Sequence, residues 1–266
     1  MNSAGWAEPV PSHNTLAIRV ALGRTGPARN VLLPQLNITT RGRTAARKKR
    51  KVEFAIFDFD GTLADSLPWF LGIFDQMAHF YDFRKLDRGE FDELRHYSAK
   101  KILAHYGIPT WKLPYITHHL RLLMRRDIAA IKPVAGIQAA LRRLAEAGVV
   151  LGILTSNSRE NVTRVLGIET ADLFRYWECD SSVFGKTIQL RRLLLTSRYS
   201  SQEVIFVGDE IGDAEVAREA RIPFGAVAWG FTHVESLAAE DVAETFSDPA
   251  ELVTKLARGS RVNQQS

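Results

Sequence analysis

Two aspartates separated by one residue, Asp58 and Asp60, stand directly after a short apolar run at residues 52–57. Carboxylates placed in this way at the end of a strand can face the same cleft, and Gly61 allows the chain to turn sharply away from it. One carboxylate can attack phosphorus to form an aspartyl-phosphate, while the other protonates the departing oxygen and later deprotonates a water molecule. An Asp-x-Asp triplet also occurs in acidic turns and metal-binding loops, so other segments must decide between these interpretations.

Three later segments carry polar groups that suit a phosphorylated ligand. They are Thr155-Ser156-Asn157, the lysine Lys186, and the acidic run Gly208-Asp209-Glu210-Ile211-Gly212-Asp213. Hydroxyl and backbone N–H groups can hold phosphate oxygens, and an ammonium group can neutralise the charge on a transferring phosphoryl group. Carboxylates are the hard oxygen ligands that Mg²⁺ prefers. Each segment alone is commonplace, since the first is typical of a turn and a single lysine is usually a solvated surface residue.

The elements that must position these residues alternate between strands and helices. Apolar, strand-like runs occur at residues 52–57, 149–154, 203–207 and 224–228. Helical spacing appears between them, for example at Ile137, Leu141, Leu144 and Ala145. Gly148 ends that helix. The alternation predicts an α/β fold with a three-layer, Rossmann-like parallel-sheet core, whose ligands bind beyond the carboxyl ends of the strands.

One stretch breaks the alternation. Residues 67–132 follow a helical pattern with many aromatic and charged residues, and Pro133 and Gly136 mark the return to the sheet. We therefore expect a small all-helical domain, inserted after the first strand of a core formed by residues 51–66 and 133–258. The remaining residues are expected to form a flexible basic extension at 1–50 and a flexible tail at 259–266.

The composition is that of a globular protein, with 45% hydrophobic and 24% charged residues in a chain of 266. Residues 1–50 contain nine basic residues and one acidic residue, which leaves a formal charge of −3 for residues 51–266 against +5 for the whole chain. No nucleic-acid-binding surface is expected on the core, because such surfaces need clustered Lys and Arg. A targeting peptide or a basic nucleic-acid-binding arm remains open for the extension.

The cellular compartment is inferred from cysteine content and hydropathy. No apolar run approaches the roughly 20 residues that cross a bilayer, and the N-terminus lacks the compact apolar stretch of a secretory signal. The single cysteine, Cys179, excludes an intrachain disulfide and fits a reducing compartment. We expect a cytoplasmic monomer or homodimer without a membrane partner, in which Cys179 is a half-buried residue without a chemical role.

Together and in this order, the four motifs resemble the motif set of the haloacid dehalogenase superfamily over residues 52–257. They resemble most closely its phosphoglycolate-phosphatase-like branch, in which a small helical cap is inserted immediately after the first motif. The resemblance implies that Asp58 is the nucleophile and Asp60 the general acid and base. It also implies a phosphate-binding set formed by Gly61, Thr155, Ser156, Asn157 and Lys186, with Thr155 and Lys186 as the principal phosphoryl clamps.

The resemblance further implies a Mg²⁺ cofactor bound by Asp58, by the carbonyl of Asp60 and by Asp209. Asp213 would then hold the metal's waters or the clamping lysine, while Glu210 would face either the metal or solvent. Because the family's dehalogenases lack the second aspartate of the first motif, Asp60 favours phosphoryl transfer over carbon–halogen cleavage.

The function implied is that of a Mg²⁺-dependent phosphatase acting on a small phosphorylated metabolite, such as a phosphoglycolate-like or sugar-phosphate monoester. One alternative is a phosphosugar mutase that uses the same aspartyl-phosphate. Another is a non-catalytic phosphate-binding module, although the intact acids Asp58, Asp60 and Asp209 speak against it. A nucleic-acid-associated protein is a third alternative, and it would depend on the basic extension alone.

Other residues are weaker candidates. A shared helical face that could meet the non-phosphate end of the substrate is expected at Arg95, Ser98 and Lys101. Adjacent histidines on a helix point in different directions, which favours surface positions over a metal site for His118 and His119. The segment Trp229-Gly230-Phe231 resembles a recurrent segment of the same branch, and we expect it to pack in a loop near the site.

Overall fold

A computed structural model of the protein describes residues 51–181 and 185–257. The expected basic extension at residues 1–50 and the expected tail at 259–266 lie outside the described residues. None of the helices in the described part of the chain combines the length and apolarity needed to span a bilayer.

The strands form one large sheet and one short ribbon. In chain order they are β1 (Phe54–Phe57), β2 (Ala64–Asp65), β3 (Lys132–Pro133), β4 (Val150–Leu154), β5 (Phe174–Glu178), β6 (Val204–Gly208), β7 (Phe224–Val227) and β8 (Val242–Phe246). The sheet has the order β5-β4-β1-β6-β7-β8, and all of its strands are parallel. The apolar runs predicted four of these strands but missed β5 and β8, which lie at the two edges.

Some of the helices cover both faces of this sheet, and the others form a separate unit. In chain order the helices are α1 (Leu67–Tyr81), α2 (Phe91–Leu94), α3 (Ala99–His105), α4 (Leu113–Arg126), α5 (Ile137–Glu146), α6 (Arg159–Leu166), α7 (Ile168–Ala171), α8 (Lys186–Ser197), α9 (Ile211–Ala220), α10 (Val234–Leu237) and α11 (Pro249–Leu256). The helices from α5 onward cover the sheet, and α1–α4 form the separate unit. Side chains alternate along β1, so Phe54 and Ile56 pack with α8, α9 and α10, whereas Ala55 and Phe57 pack with α5, α6 and α11. The predicted three-layer α/β core is confirmed.

Helices α1–α4, here called the cap, lie between β2 and β3. The cap has two apolar clusters of its own. In one, Ile73 and Met77 of α1 pack with Ile116 and Leu123 of α4. In the other, Phe74 of α1 packs with Leu94 of α2 and with Tyr106, which follows α3. The chain enters and leaves the cap through the antiparallel β2–β3 ribbon, in which Asp65 lies opposite Lys132. The insert expected to be all-helical over residues 67–132 differs from the structure at its last residue, because Lys132 belongs to β3 and pairs across the ribbon.

The register of the central strands decides where the polar loops lie. Phe57 at the end of β1 is opposite Ile153 of β4 on one side and Val207 of β6 on the other. The residues that follow these three strands therefore leave the sheet at the same edge.

Candidate active site

The first loop of the site leaves β1 and turns tightly against the loop that follows β6. Asp58 is 4% exposed, and its backbone N–H donates to the carbonyl of Val207. Gly61 has a φ of +78°, and a Cβ at this position would lie 2.2 Å from Oδ2 of Asp209. The sharp turn predicted for Gly61 is present, and the contact with Asp209 gives a second reason for glycine there.

Lys186 joins two of the predicted acids. Its Nζ lies 3.0 Å from Oδ2 of Asp58 and 2.8 Å from Oδ1 of Asp213. Lys186 is the first residue of α8, so the helix start aims the ammonium group at the sheet edge. Of the two partners expected for Asp213, metal waters or the lysine, its Oδ1 binds the lysine.

Asp209 is fully buried, and both of its carboxylate oxygens accept hydrogen bonds. Thr62 Oγ1 donates to Oδ1 at 2.6 Å, and the backbone N–H of Phe231 donates to Oδ2 at 2.8 Å. A Cβ at Gly230 would lie 2.0 Å from Cβ of Asp209, so the backbone there lies directly against the acid. Thr62 was not predicted as a site residue, although a hydroxyl residue two positions after Asp60 was a signal for it in the sequence.

Asp60 is held through one carboxylate oxygen. Its Oδ2 accepts a 3.0 Å hydrogen bond from Nδ2 of Asn157, whereas its buried Oδ1 accepts no hydrogen bond from the residues that the structure describes. The same amide nitrogen contacts Sδ of Met124, a cap residue, at 2.8 Å. Asn157 was expected to bind phosphate, but its side chain is already engaged with Asp60.

The loop after β4 provides a hydroxyl and backbone groups. Thr155 is 1% exposed, and its Oγ1 accepts a 3.0 Å hydrogen bond from the backbone N–H of Asn157, which leaves the hydroxyl hydrogen able to donate. The Ser156 carbonyl accepts a hydrogen bond from Nε of Arg121 in the cap at 2.5 Å. The expected phosphate-binding segment therefore lies at the sheet edge and contacts the cap.

Burial dominates the protonation behaviour of the acids. It raises the pKa of Asp58 well above its usual value, against the opposing effect of Lys186, and it raises the pKa of Asp60 against the hydrogen bond from Asn157. The pKa of Asp209 is raised well above its usual value by burial and then by nearby Glu210. The pKa of Glu210, a partly buried residue, rises to about 7 because of burial and the charge of Asp213.

Lys186 shows the opposite balance. Burial by itself would lower the pKa of its ammonium group, but the carboxylates of Asp213 and Asp58 outweigh that effect and raise the pKa well above its usual value. Lys186 therefore stays charged, as a residue that neutralises phosphoryl charge must.

A divalent cation fits this cluster of acids. Carboxylate oxygens of Asp58, Asp209 and Asp213 lie within 4.8 Å of one another, and all three residues are buried. In the described part of the chain a single ammonium group, that of Lys186, pairs with them, so the three carboxylates in their ionised form carry more negative charge than it balances. A hard cation bound by one or two of the carboxylates would balance this excess. The resemblance implies that Asp60 binds the metal through its backbone carbonyl, so its absence from this set of carboxylates is consistent with that expectation.

The cap contacts both sides of the site. On one side Arg121 binds the Ser156 carbonyl, and on the other Arg95 donates to the carbonyls of Phe231 and Gly230 at 2.9 and 3.0 Å. A cavity of about 100 Å³ lies between cap and core, and its mostly apolar wall includes Phe70, Arg95, Glu210 and Phe231. Glu210 therefore borders the space beneath the cap.

The weaker candidates have separate positions. Arg95, Ser98 and Lys101 do not share a helical face, because α2 ends at Leu94 and Ser98 is the residue that caps the start of α3. The Lys101 ammonium lies 3.2 Å from the centre of the Tyr97 ring. His118 is exposed, and the ring of His119 packs on Phe80. The pKa of the partly buried Cys179 thiol is raised to about 12 by burial.

The segment Trp229-Gly230-Phe231 does more than pack near the site. Besides the bond from Phe231 to Asp209, the indole N–H of Trp229 donates to the carbonyl of Thr62 at 3.0 Å. This loop after β7 therefore ties together the first motif and the acidic motif.

Residues 55–227 match the family model of the haloacid dehalogenase-like hydrolases. A phosphoglycolate phosphatase of Synechococcus elongatus is 31% identical over 207 residues, covering 76% of this chain and 98% of that protein. An N-acetylmuramic acid 6-phosphate phosphatase of Pseudomonas aeruginosa is 26% identical over 223 residues, covering 79% and 97%.

Solved structures of the same fold are similar to this chain as well. A haloacid dehalogenase-like hydrolase from Streptococcus pneumoniae superposes with a TM-score of 0.63 at 19% identity, covering 76% of this chain and 97% of that one. CbbY from Rhodobacter sphaeroides, solved in complex with phosphate, superposes with a TM-score of 0.57 at 20% identity, covering 76% and 96%. Fold, motifs and relatives agree, and the chain belongs to the haloacid dehalogenase-like hydrolase family.

Proposed function

We propose that this protein is a Mg²⁺-dependent phosphatase that hydrolyses a small phosphomonoester through an aspartyl-phosphate on Asp58. The observation that carries the proposal is the position of this carboxylate. Its Oδ2 lies 3.0 Å from Nζ of Lys186, and one of its oxygens lies within 4.8 Å of an oxygen of Asp209. A nucleophile, a cation for phosphoryl charge and an acid able to hold a metal are thus adjacent.

In the first step, a carboxylate oxygen of Asp58 attacks phosphorus and the bond from phosphorus to the ester oxygen breaks. The departing oxygen takes a proton from Asp60. Burial raises the pKa of Asp60, which favours the protonated form that this step requires. Its buried Oδ1 has no partner within the described residues, while Asn157 holds Oδ2, so the acid is oriented and has one oxygen available.

In the second step, Asp60 accepts a proton from water as the water oxygen attacks phosphorus. The bond between phosphorus and Asp58 breaks, phosphate leaves, and both carboxyl groups return to their starting states. One phosphomonoester and one water molecule give one alcohol and one phosphate. Asp60 thus acts as acid in one step and as base in the next.

The charge of the phosphoryl group is balanced by groups at the same edge of the sheet. Lys186 provides a mostly buried ammonium group, and the Thr155 hydroxyl has a hydrogen free to donate. Asp58, the carbonyl of Asp60 and Asp209 would hold the metal. When bound, Mg²⁺ supplies further positive charge to the phosphoryl oxygens and favours the ionised form of Asp58.

A small substrate is supported by the relatives. The cavity of about 100 Å³ between cap and core is lined mostly by cap residues and reaches the site only through Glu210 and the loop at Phe231, so it does not define the substrate's size. The relatives from Synechococcus elongatus and Pseudomonas aeruginosa are named for small phosphorylated compounds, phosphoglycolate and N-acetylmuramic acid 6-phosphate. We therefore propose a small phosphomonoester of the phosphoglycolate or sugar-phosphate class.

A screen of the purified protein against small phosphoesters tests this function. The panel contains phosphoglycolate, sugar phosphates, nucleotides and phenyl phosphate, each assayed for released phosphate with Mg²⁺ and with a chelator. We expect release from at least one compound, loss of release in chelator, and recovery when Mg²⁺ is restored. Equal rates in chelator would contradict the metal requirement, whereas isomerised sugar phosphate without free phosphate would identify a mutase.

A further inference from the structure

Arg95 makes three hydrogen bonds between the cap and the loop after β7. Its Nε donates to the Phe231 carbonyl at 2.9 Å, and its Nη2 donates to the Gly230 carbonyl at 3.0 Å. In return, the Arg95 carbonyl accepts a 3.0 Å hydrogen bond from the backbone N–H of His233. The guanidinium group thus holds two adjacent carbonyls of one loop in a fixed geometry, which a lysine could match only in part.

The same loop holds Asp209. The Phe231 N–H donates to Oδ2 of Asp209 at 2.8 Å, and a Cβ at Gly230 would be only 2.0 Å from Cβ of Asp209. The two residues whose carbonyls bind Arg95 are therefore the two whose backbones contact this acid. Any shift of the loop relative to β6 changes the hydrogen bond that orients the carboxylate.

We propose that Arg95 is a positioning residue through which closure of the cap increases the affinity of the Asp209 site for its divalent metal. This inference rests on the metal site of the proposed function. When the cap is closed, Arg95 holds the loop, and the loop holds the Asp209 carboxylate in one orientation. Because coupling between two sites is reciprocal, metal binding in turn favours the closed cap.

Arg84 and Arg121 provide matched comparisons. Arg84 also lies in the cap and bonds through its guanidinium to Glu90 at 2.7 Å and His105 at 3.2 Å, both cap residues. Arg121 binds core carbonyls, those of Ser156 at 2.5 Å and Ser181 at 3.1 Å, but these belong to the loops after β4 and β5. A substitution of Arg84 shows the effect of removing a positive charge from the cap. A substitution of Arg121 shows the effect of weakening the cap–core contact while the loop that holds Asp209 keeps its bonds to Arg95.

The experiment is a calorimetric titration of Mg²⁺ into the full-length protein without substrate. We expect Arg95→Gln to weaken binding by about five- to tenfold or more, Arg95→Lys to fall between this variant and the wild type, and Arg84→Gln to stay within about twofold. Arg121→Gln is expected to weaken binding less than Arg95→Gln. Melting temperatures measured in chelator show whether each variant is folded, and Arg95→Lys carries the test if Arg95→Gln does not fold.

Two results would overturn the inference. One is a folded Arg95 variant whose Mg²⁺ affinity equals that of the wild type, and the other is an equal loss of affinity in Arg95→Gln and Arg121→Gln. Asp209→Asn separates failure of the coupling from failure of the metal site, because it should abolish Mg²⁺ binding. Unchanged binding in Asp209→Asn would overturn the metal site itself, and the coupling with it.

Discussion

At the carboxyl edge of the sheet, buried polar side chains bind one another, whereas the cap reaches the same region mainly through hydrogen bonds to backbone carbonyls. The ammonium of Lys186 pairs with Asp58 and Asp213, and Asp209 is held by Thr62 from a loop far away in sequence. In contrast, Arg95 and Arg121 of the cap donate to carbonyls of core loops.

This difference suggests how chemistry and closure are divided between the two regions. Bonds between buried side chains depend on the identity of both partners, so a substitution in the core leaves an unpaired group. A backbone carbonyl is present whatever the side chain, so these bonds of Arg95 and Arg121 depend on the position of the core loops rather than on their composition. Arg121 also pairs with a core side chain, the Asp180 carboxylate, at 3.2 Å. We therefore expect substitutions at the sheet edge to have larger effects than substitutions in the outer part of the cap.

The largest effect is expected for the proposed nucleophile. Asp58→Asn should lower the rate of phosphate release by at least about a thousandfold, because the amide cannot form the covalent intermediate. Asp75→Asn makes the same chemical change at an exposed cap acid, whose Oδ1 accepts a hydrogen bond from the backbone of Leu86. That control should retain nearly the wild-type rate. Residual activity of a tenth or more in Asp58→Asn would refute the assigned role.

A smaller effect is expected on Mg²⁺ affinity when a lower pH protonates the acids of the metal site. Burial raises the pKa of Asp58 and Asp209 well above their usual 3.8, and it raises the pKa of Glu210 to about 7. Protons therefore compete with the metal, and Mg²⁺ affinity should increase as the pH rises from about 6 to 8. Calorimetric titrations at several pH values measure this, and an affinity independent of pH would contradict it.

The same raised pKa values determine how the stability of the metal-free protein changes with pH. A folded state that holds protons more tightly than the unfolded state loses stability as the pH rises from the unfolded pKa towards the folded one. The gain in melting temperature on adding Mg²⁺ should therefore be larger at pH 8 than at pH 6.

Alanine substitution of two glycines, one at the sheet edge and one in the cap, tests whether the sheet edge is the more sensitive region in protein stability. Gly61→Ala would put a Cβ 2.2 Å from Oδ2 of Asp209 at a φ of +78°, so we expect a loss of about 1–3 kcal/mol in the free energy of unfolding. Gly72 lies within α1 of the cap, and apart from the backbone of α1 and the two neighbouring residues, no atom of the described residues lies within 4 Å of the equivalent position. Gly72→Ala should stabilise the protein by about 0.5–1 kcal/mol. Urea unfolding of both variants measures the difference, and equal effects would contradict it.

The smallest effect is expected on the outer surface of the cap. The Trp111 side chain is 67% exposed, so Trp111→Ala should change the free energy of unfolding by no more than about 0.5 kcal/mol and leave phosphate release unchanged. A larger change in either measurement would show that this surface contributes more than its exposure indicates.

Strand prediction succeeded where burial was complete. β1, β4 and β6 are almost entirely buried, so they appear in the sequence as continuous apolar runs. β5 and β8 lie at the edges and contain the exposed residues Arg175 and Glu244, because edge strands leave part of their surface in water. Their mixed composition hides them from an analysis that looks for apolar runs.

The amino-acid sequence by itself determined the order of the elements and the identity of the acids, because strand periodicity and the residues that end each strand are local properties. Only the tertiary structure decided that Thr62 binds Asp209, that Asn157 binds Asp60, and that Arg95 reaches the loop after β7. These partners are 147, 97 and 136 positions apart, and no local pattern encodes which distant groups packing brings within hydrogen-bonding distance.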